Sequence, residues 1–123
     1  MLATTALLVT LASAAPVDID LNALNAGQLP AAGTREEADA CAVETHYTLL
    51  DMLKTGKAQQ AADKVPPMVE WQKRAAAFRD MTASAYSNDP AFIDAVNAVD
   101  AVAAPAHATL EAACIARLTT NAG

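Results

Sequence analysis

Two cysteines far apart in the sequence, Cys41 and Cys114, restrict the fold of this chain more than any other feature. A disulfide needs Cα atoms within about 7 Å, and two cysteines in an exported domain ordinarily pair. The alternative is a pair of buried free thiols in a reducing compartment. Cys41 falls two turns into the first long helical segment and Cys114 near the end of the last. If they pair, the start of the first helix lies beside the end of the last. An up-down-up-down four-helix bundle does this, with those helices as antiparallel neighbours; a strict three-helix bundle would put the cysteines at opposite ends. The pairing thus predicts a turn near Pro105 or a reversal through residues 57–65. Closing a loop of this length contributes roughly 4 kcal/mol on chain-entropy grounds.

Export is expected from the first residues. MLATTALLVTL is apolar and uncharged, and Ala12-Ser13-Ala14 follows as an A-x-A cleavage pattern. The cut is placed after Ala14, making residues 1–14 a signal peptide and avoiding Pro16 at the first mature position. The run is shorter than the ~20 apolar residues of a spanning helix, so no membrane span is expected in the mature chain. No Lys or Arg precedes the run, and no Cys follows it to carry a lipid anchor. The competing interpretation is an apolar N-terminal helix of a cytosolic protein. The expected location is secreted or periplasmic, in the cell envelope.

The net charge of −6 argues against nucleic acid and anionic lipid, which need a clustered basic surface. Lys64, Lys73, Arg74 and Arg79 are interrupted by Glu70 and Asp80, as on an ordinary solvated helix face. Alanine is about a quarter of the chain and aromatics are 4%. Alanine is the best helix former, so the composition suits close-packed helices with a thin core, for which a covalent staple is valuable.

The expected fold is all-α: a small antiparallel bundle of four helices, or three long ones and a short one, over residues 34–120. An extended arm, residues 15–33, precedes it. In the arm Val17, Ile19 and Leu21 alternate with Asp18, Asp20 and Asn22, while Gly27, Pro30 and Gly33 prevent a long helix. It is expected to be a strap across the helices, with a partner-binding arm as the alternative. Thr34-Arg35-Glu36-Glu37 is a capping box opening the first helix, and Gly56 closes it. Ala38, Ala42, Thr45, Leu49 and Met52 share one face; Val43, Tyr47 and Leu50 form a second stripe, which the arm would cover. Residues 57–64 allow a helical stub. A second helix is expected from Pro67 to about Ser87, with Met68, Trp71, Ala75, Phe78, Thr82 and Ala85 as its buried seam. A third opens at Pro90 behind Asn88 or Asp89 and buries Phe92, Val96, Val99 and Ala103. Pro105 either kinks this helix or starts a fourth, on which His107, Leu110, Cys114 and Leu118 share a side.

Chemistry that announces itself in sequence is missing. There is no G-x-S-x-G, no inward Glu-x-x-His pair, no C-x-x-C-H, no H-E-x-x-H and no Gly-rich phosphate loop. No catalytic residue and no metal ligand is therefore assigned, and the chain is expected not to be an enzyme. Measured around each helix from its cysteine, His107 lies about 20° away and His46 about 140° away. A shared metal or haem axis is not expected; His46 should lie at the surface, and His107 at the seam, bonded to a backbone group or to Glu111.

The large side chains concentrate on the second helix. Met68, Trp71, Phe78 and Tyr86, with His107, are the candidate ligand-binding residues, and their plain alternative is the core. The layout of Cys41, then Pro90 opening a later helix, then Pro105 and Cys114 resembles the secreted actinobacterial haemophore-like domains. That resemblance implies a helical, disulfide-closed haem carrier. The family's Tyr-Leu-x-x-His-Pro stretch has no counterpart here, where Lys54-Thr55-Gly56-Lys57 stands, so no ligand residues carry over. The expected role is non-enzymatic binding of a small apolar ligand, with haem as one candidate. The alternative is a structural or protein-interaction module of the cell envelope, with another envelope protein as partner.

Overall fold

The computed structural model describes residues 16, 17 and 19–121; the expected signal peptide and its cut lie outside them. Along the chain come α1 (Leu21–Asn25), α2 (Arg35–Lys54), α3 (Ala58–Ala62), α4 (Val65–Ala77), α5 (Ala83–Ser87), α6 (Pro90–Ala98), a 3-10 turn (Val99–Ala101) and α7 (Ala104–Asn121). The described residues are all-helical, and α2, α4, α6 and α7 are the long elements of the bundle.

The arm corrects the expectation of an extended segment. The Asp20 carboxylate caps α1 by accepting the Ala23 N–H at 3.2 Å, and Gly27, at φ +72°, closes it. Leu21 and Leu24 therefore point to one side at helical spacing rather than alternating, and Leu24 is buried. The arm is a strap. Asn25 Oδ1 accepts the Ala103 N–H at 3.1 Å, and the Pro30 carbonyl accepts from Arg117 at 2.6 Å. A side chain on Gly27 would only touch Thr109 of α7, 3.4 Å from the nearest carbon; its cost would lie in the left-handed backbone. The strap shares a groove with Glu36 and Ala40 but leaves the end of the second stripe open: Leu50 is exposed.

α2 starts at its Thr34 cap, whose hydroxyl accepts the Glu37 N–H at 3.1 Å. Glu37 departs from the expected box. It reaches the Gly33 N–H (2.9 Å) instead of that of Thr34, and its second oxygen accepts from Arg117 (2.9 Å). Gly56, at φ +77°, ends the helix with the Lys57 N–H on the Met52 carbonyl and its own on Leu53, a Schellman cap.

The second helix is broken, against expectation. α4 stops at Ala77, Asp80 adopts φ +54°, and Thr82 caps the separate α5 by accepting the Ala85 N–H. Asp tolerates the left-handed region better than most side chains, and Thr is a favoured cap, so the break needs no glycine. It ends the seam early. Trp71 and Ala75 are buried as expected, but Phe78 is 52% exposed, and Thr82 and Ala85 lie outside. Tyr86 turns into the core instead. Pro66 and Pro67 lie in the first turn of α4, where backbone N–H groups lack helical partners.

Asp89 caps α6 behind Pro90, with its carboxylate on the Ala91 N–H at 2.8 Å. Phe92, Val96 and Val99 are buried, but Val102 takes the place expected of Ala103, because the chain passes through a 3-10 turn and an extended residue there. Pro105 therefore starts a separate helix, α7, rather than kinking one.

Cys41 and Cys114 form the expected disulfide, with Cα atoms 5.5 Å apart. Glu37–Arg117, Cys41–Cys114 and Glu44–His107 form a ladder in which numbers rise on α2 as they fall on α7, so the two run antiparallel. Asp39–Arg79 and His46–Gln72 make the same argument for α2 against the α4 side. α2 is thus the central helix, and Val43, Trp71, Tyr86, Phe92, Val99 and Leu110 close the core around it.

Candidate functional site

The central helix carries three acidic side chains into the interior: Glu37, Asp39 and Glu44 are all buried. Such groups are stable only when paired and hydrogen-bonded, and each is. Asp39 accepts from Arg79 Nη2 (2.7 Å) and from the Tyr86 hydroxyl (2.8 Å). Arg79 also donates to the carbonyls of Ala75 and Pro16, which ties the strap's beginning to the end of α4. Burial, then the neighbouring Asp39, pushes the Tyr86 phenol well above its usual range. Both oxygens of Glu44 lie on His107 Nδ1, at 2.7 and 2.9 Å. Burial raises the Glu44 carboxyl above the usual carboxylate range even though His107 pulls the other way. Tyr47 stacks on the His107 ring at 4.3 Å. Its hydroxyl donates to Asp100 at 2.9 Å, and that bond, helped by burial, pushes its pKa up to about 12.

These pairs correct two expectations. His107 is bonded to Glu44; Glu111 pairs with Lys64 at 3.2 Å instead. His46 is half-buried rather than on the surface, set edge-on to Phe92 (5.3 Å between centroids) and bonded to Gln72, and burial lowers its pKa. None of the three buried acids stood out as a functional group in the sequence. A signal existed: Glu37 and Glu44 sit four before and three after Cys41, on the face that must meet α7, and Arg117 and His107 flank Cys114 on the facing side.

A different arrangement lies where the start of α2 meets the end of α4. Gly33, Thr34, Glu37 and Ala38 form one wall of an open groove; Trp71, Arg74, Ala77 and Phe78 form the other, enclosing about 420 Å³. The lining is mainly apolar, and the volume falls within the range of small-molecule sites. Trp71 itself is fully buried, and its indole N–H donates to the Cys114 carbonyl at 3.1 Å. The Arg74 guanidinium lies over that ring, 4.9 Å from its centre. Phe78 is the exposed aromatic of the wall, brought there by the break after α4.

The five candidate ligand residues do not converge. Trp71 and Phe78 share the groove; Tyr86 is locked in the core on Asp39; His107 lies on Glu44 beside Tyr47; half-buried Met68 is one turn before Trp71 and not among the groove's walls. The apolar groove is lined by no His, Tyr, Met or Cys that could ligate a haem iron. Tyr47 and His107 Nδ1 are committed to Asp100 and Glu44, and His107 Nε2 is buried without a hydrogen-bond partner. Among the described residues no three His, Cys, Asp or Glu side chains gather as a metal site requires, and no helix is long and apolar enough to cross a membrane. No protein family, characterised protein or solved structure matches this chain.

Proposed function

We propose that this chain is an exported, non-enzymatic binding protein that holds a small apolar ligand in the groove between the start of α2 and the end of α4. The observation that carries this reading is Phe78, 52% exposed on the wall of a mainly apolar groove. An isolated exposed aromatic needs no explanation, but one lining a concave apolar site offers a ligand a ready contact. The titratable groups support a non-enzymatic role: Asp39, Glu44 and Glu37 are consumed in buried pairs. The disulfide is compatible with life outside the reducing cytosol. Leu50 and Leu53, one turn apart and exposed on α2, would be the contact face of an envelope interaction module, the second reading.

The uncharged fluorophore N-phenyl-1-naphthylamine tests the groove. Its emission should rise on mixing, saturating at one probe per chain. Phe78→Asp should weaken binding by about tenfold, the loss of one well-buried apolar contact. Because Phe78 lies outside the core, that variant should keep the wild-type melting temperature. Equal binding by wild type and Phe78→Asp would remove the groove from the account.

A further inference from the structure

Resting on that reading, we infer that the groove's ligand is amphipathic, an apolar body ending in a carboxylate that pairs with Arg74. The chain is acidic overall, yet the one cation among the groove's lining residues is Arg74. The one acid there is not available to repel an anion, since Glu37 gives one oxygen to the Gly33 N–H and the other to Arg117. Arg74 is weakly held by comparison. Its ion pair is with Glu70, four residues earlier on the same helix, at 3.4 Å and through Nε. Glu70 is nearly half exposed, and pairs of this kind contribute little. Arg79 and Arg117, by contrast, each bind a buried carboxylate and a backbone carbonyl.

The Trp71 ring lies against the Arg74 guanidinium, a cation–π contact that uses none of its N–H donors. A planar guanidinium suits the two oxygens of a carboxylate, which it can engage through parallel N–H donors. Phe78 is one turn further along the same face of α4, with Ala77 and Ala38 beside it in the groove. A carboxylate on Arg74 therefore leaves the rest of the molecule against apolar wall. An uncharged ligand would leave Arg74 with only its weak Glu70 pair, and a cationic one would meet it with like charge.

Displacement of bound N-phenyl-1-naphthylamine by octanoate, octanol and octyltrimethylammonium, at a pH where octanoate is ionised, tests the inference. Octanoate should displace the probe at about tenfold lower concentration than octanol, as a charge-assisted pair predicts, and octyltrimethylammonium should be the poorest competitor. In Arg74→Gln the advantage of octanoate should vanish while octanol is unchanged, and added salt should narrow it in the wild type. Octanoate and octanol equal in the wild type, an advantage that survives Arg74→Gln, or a bound probe that neither displaces would overturn the carboxylate inference and leave the groove standing. A probe that does not bind at all would overturn the groove reading and this inference with it.

Discussion

Replacing Cys41 and Cys114 together by alanine should lower stability by roughly 4 kcal/mol, one of the two largest losses expected in this protein. The bridge spans a sequence separation of 73 residues, and closing so long a loop removes many conformations from the unfolded chain. It also joins the central helix to the last one at the level where Trp71 bonds to the Cys114 carbonyl. A core rich in Ala38, Ala40, Ala42, Ala75 and Ala76 buries little apolar area per residue, so that loss is a large share of the 5–15 kcal/mol typical of domains. The melting temperature should fall by on the order of 15–25 °C. Reductant should do the same to the wild type and nothing to the double variant. Thermal unfolding followed by circular dichroism, with and without dithiothreitol, checks this; a wild type insensitive to reductant in the unfolded state would contradict it.

Arg79→Met should be nearly as damaging, through electrostatics rather than chain entropy. It leaves Asp39 buried with the Tyr86 hydroxyl as its remaining partner and strips a donor from the carbonyls of Ala75 and Pro16. Removing one member of a buried ion pair costs about 3–5 kcal/mol, because the survivor is a charge without compensation. Adding Asp39→Asn to Arg79→Met should recover part of the loss, and this non-additivity distinguishes a buried pair from lost packing. Urea midpoints of the two single variants and the double give the coupling. A double variant as unstable as the sum of the singles would show that the pair is not one.

The parts of this fold that were legible were those fixed by local rules or by the cysteines. Thr34 and Gly56 bound α2, Asp89 and Pro90 open α6, and the antiparallel contact of first and last helices follows from where Cys41 and Cys114 fall. The break after α4 was not legible, because a six-position seam from Met68 to Ala85 reads as one helix. It is stabilised by tertiary contacts, Arg79 reaching Asp39 and Tyr86 turning inward, that no local pattern announces. The same break moved Phe78 from the expected core to a groove wall and separated Tyr86 from it, so the candidate site was half seen: Trp71 and Phe78 belong to it, while Tyr86 and His107 serve buried pairs. Arg74 looks in sequence like part of a solvated face, since its position over Trp71 depends on a tryptophan held in the core by its N–H bond to the Cys114 carbonyl.

Native mass spectrometry of the protein purified from its own host, before any extraction, tests whether it is an exported carrier of a small ligand. The spectrum should show a chain beginning at Ala15 with its disulfide intact, carrying one small ligand that denaturation releases, and a Phe78→Asp form with lower occupancy of that ligand. A bare chain in both preparations, or a wild type that carries a second polypeptide and no small molecule, would contradict it.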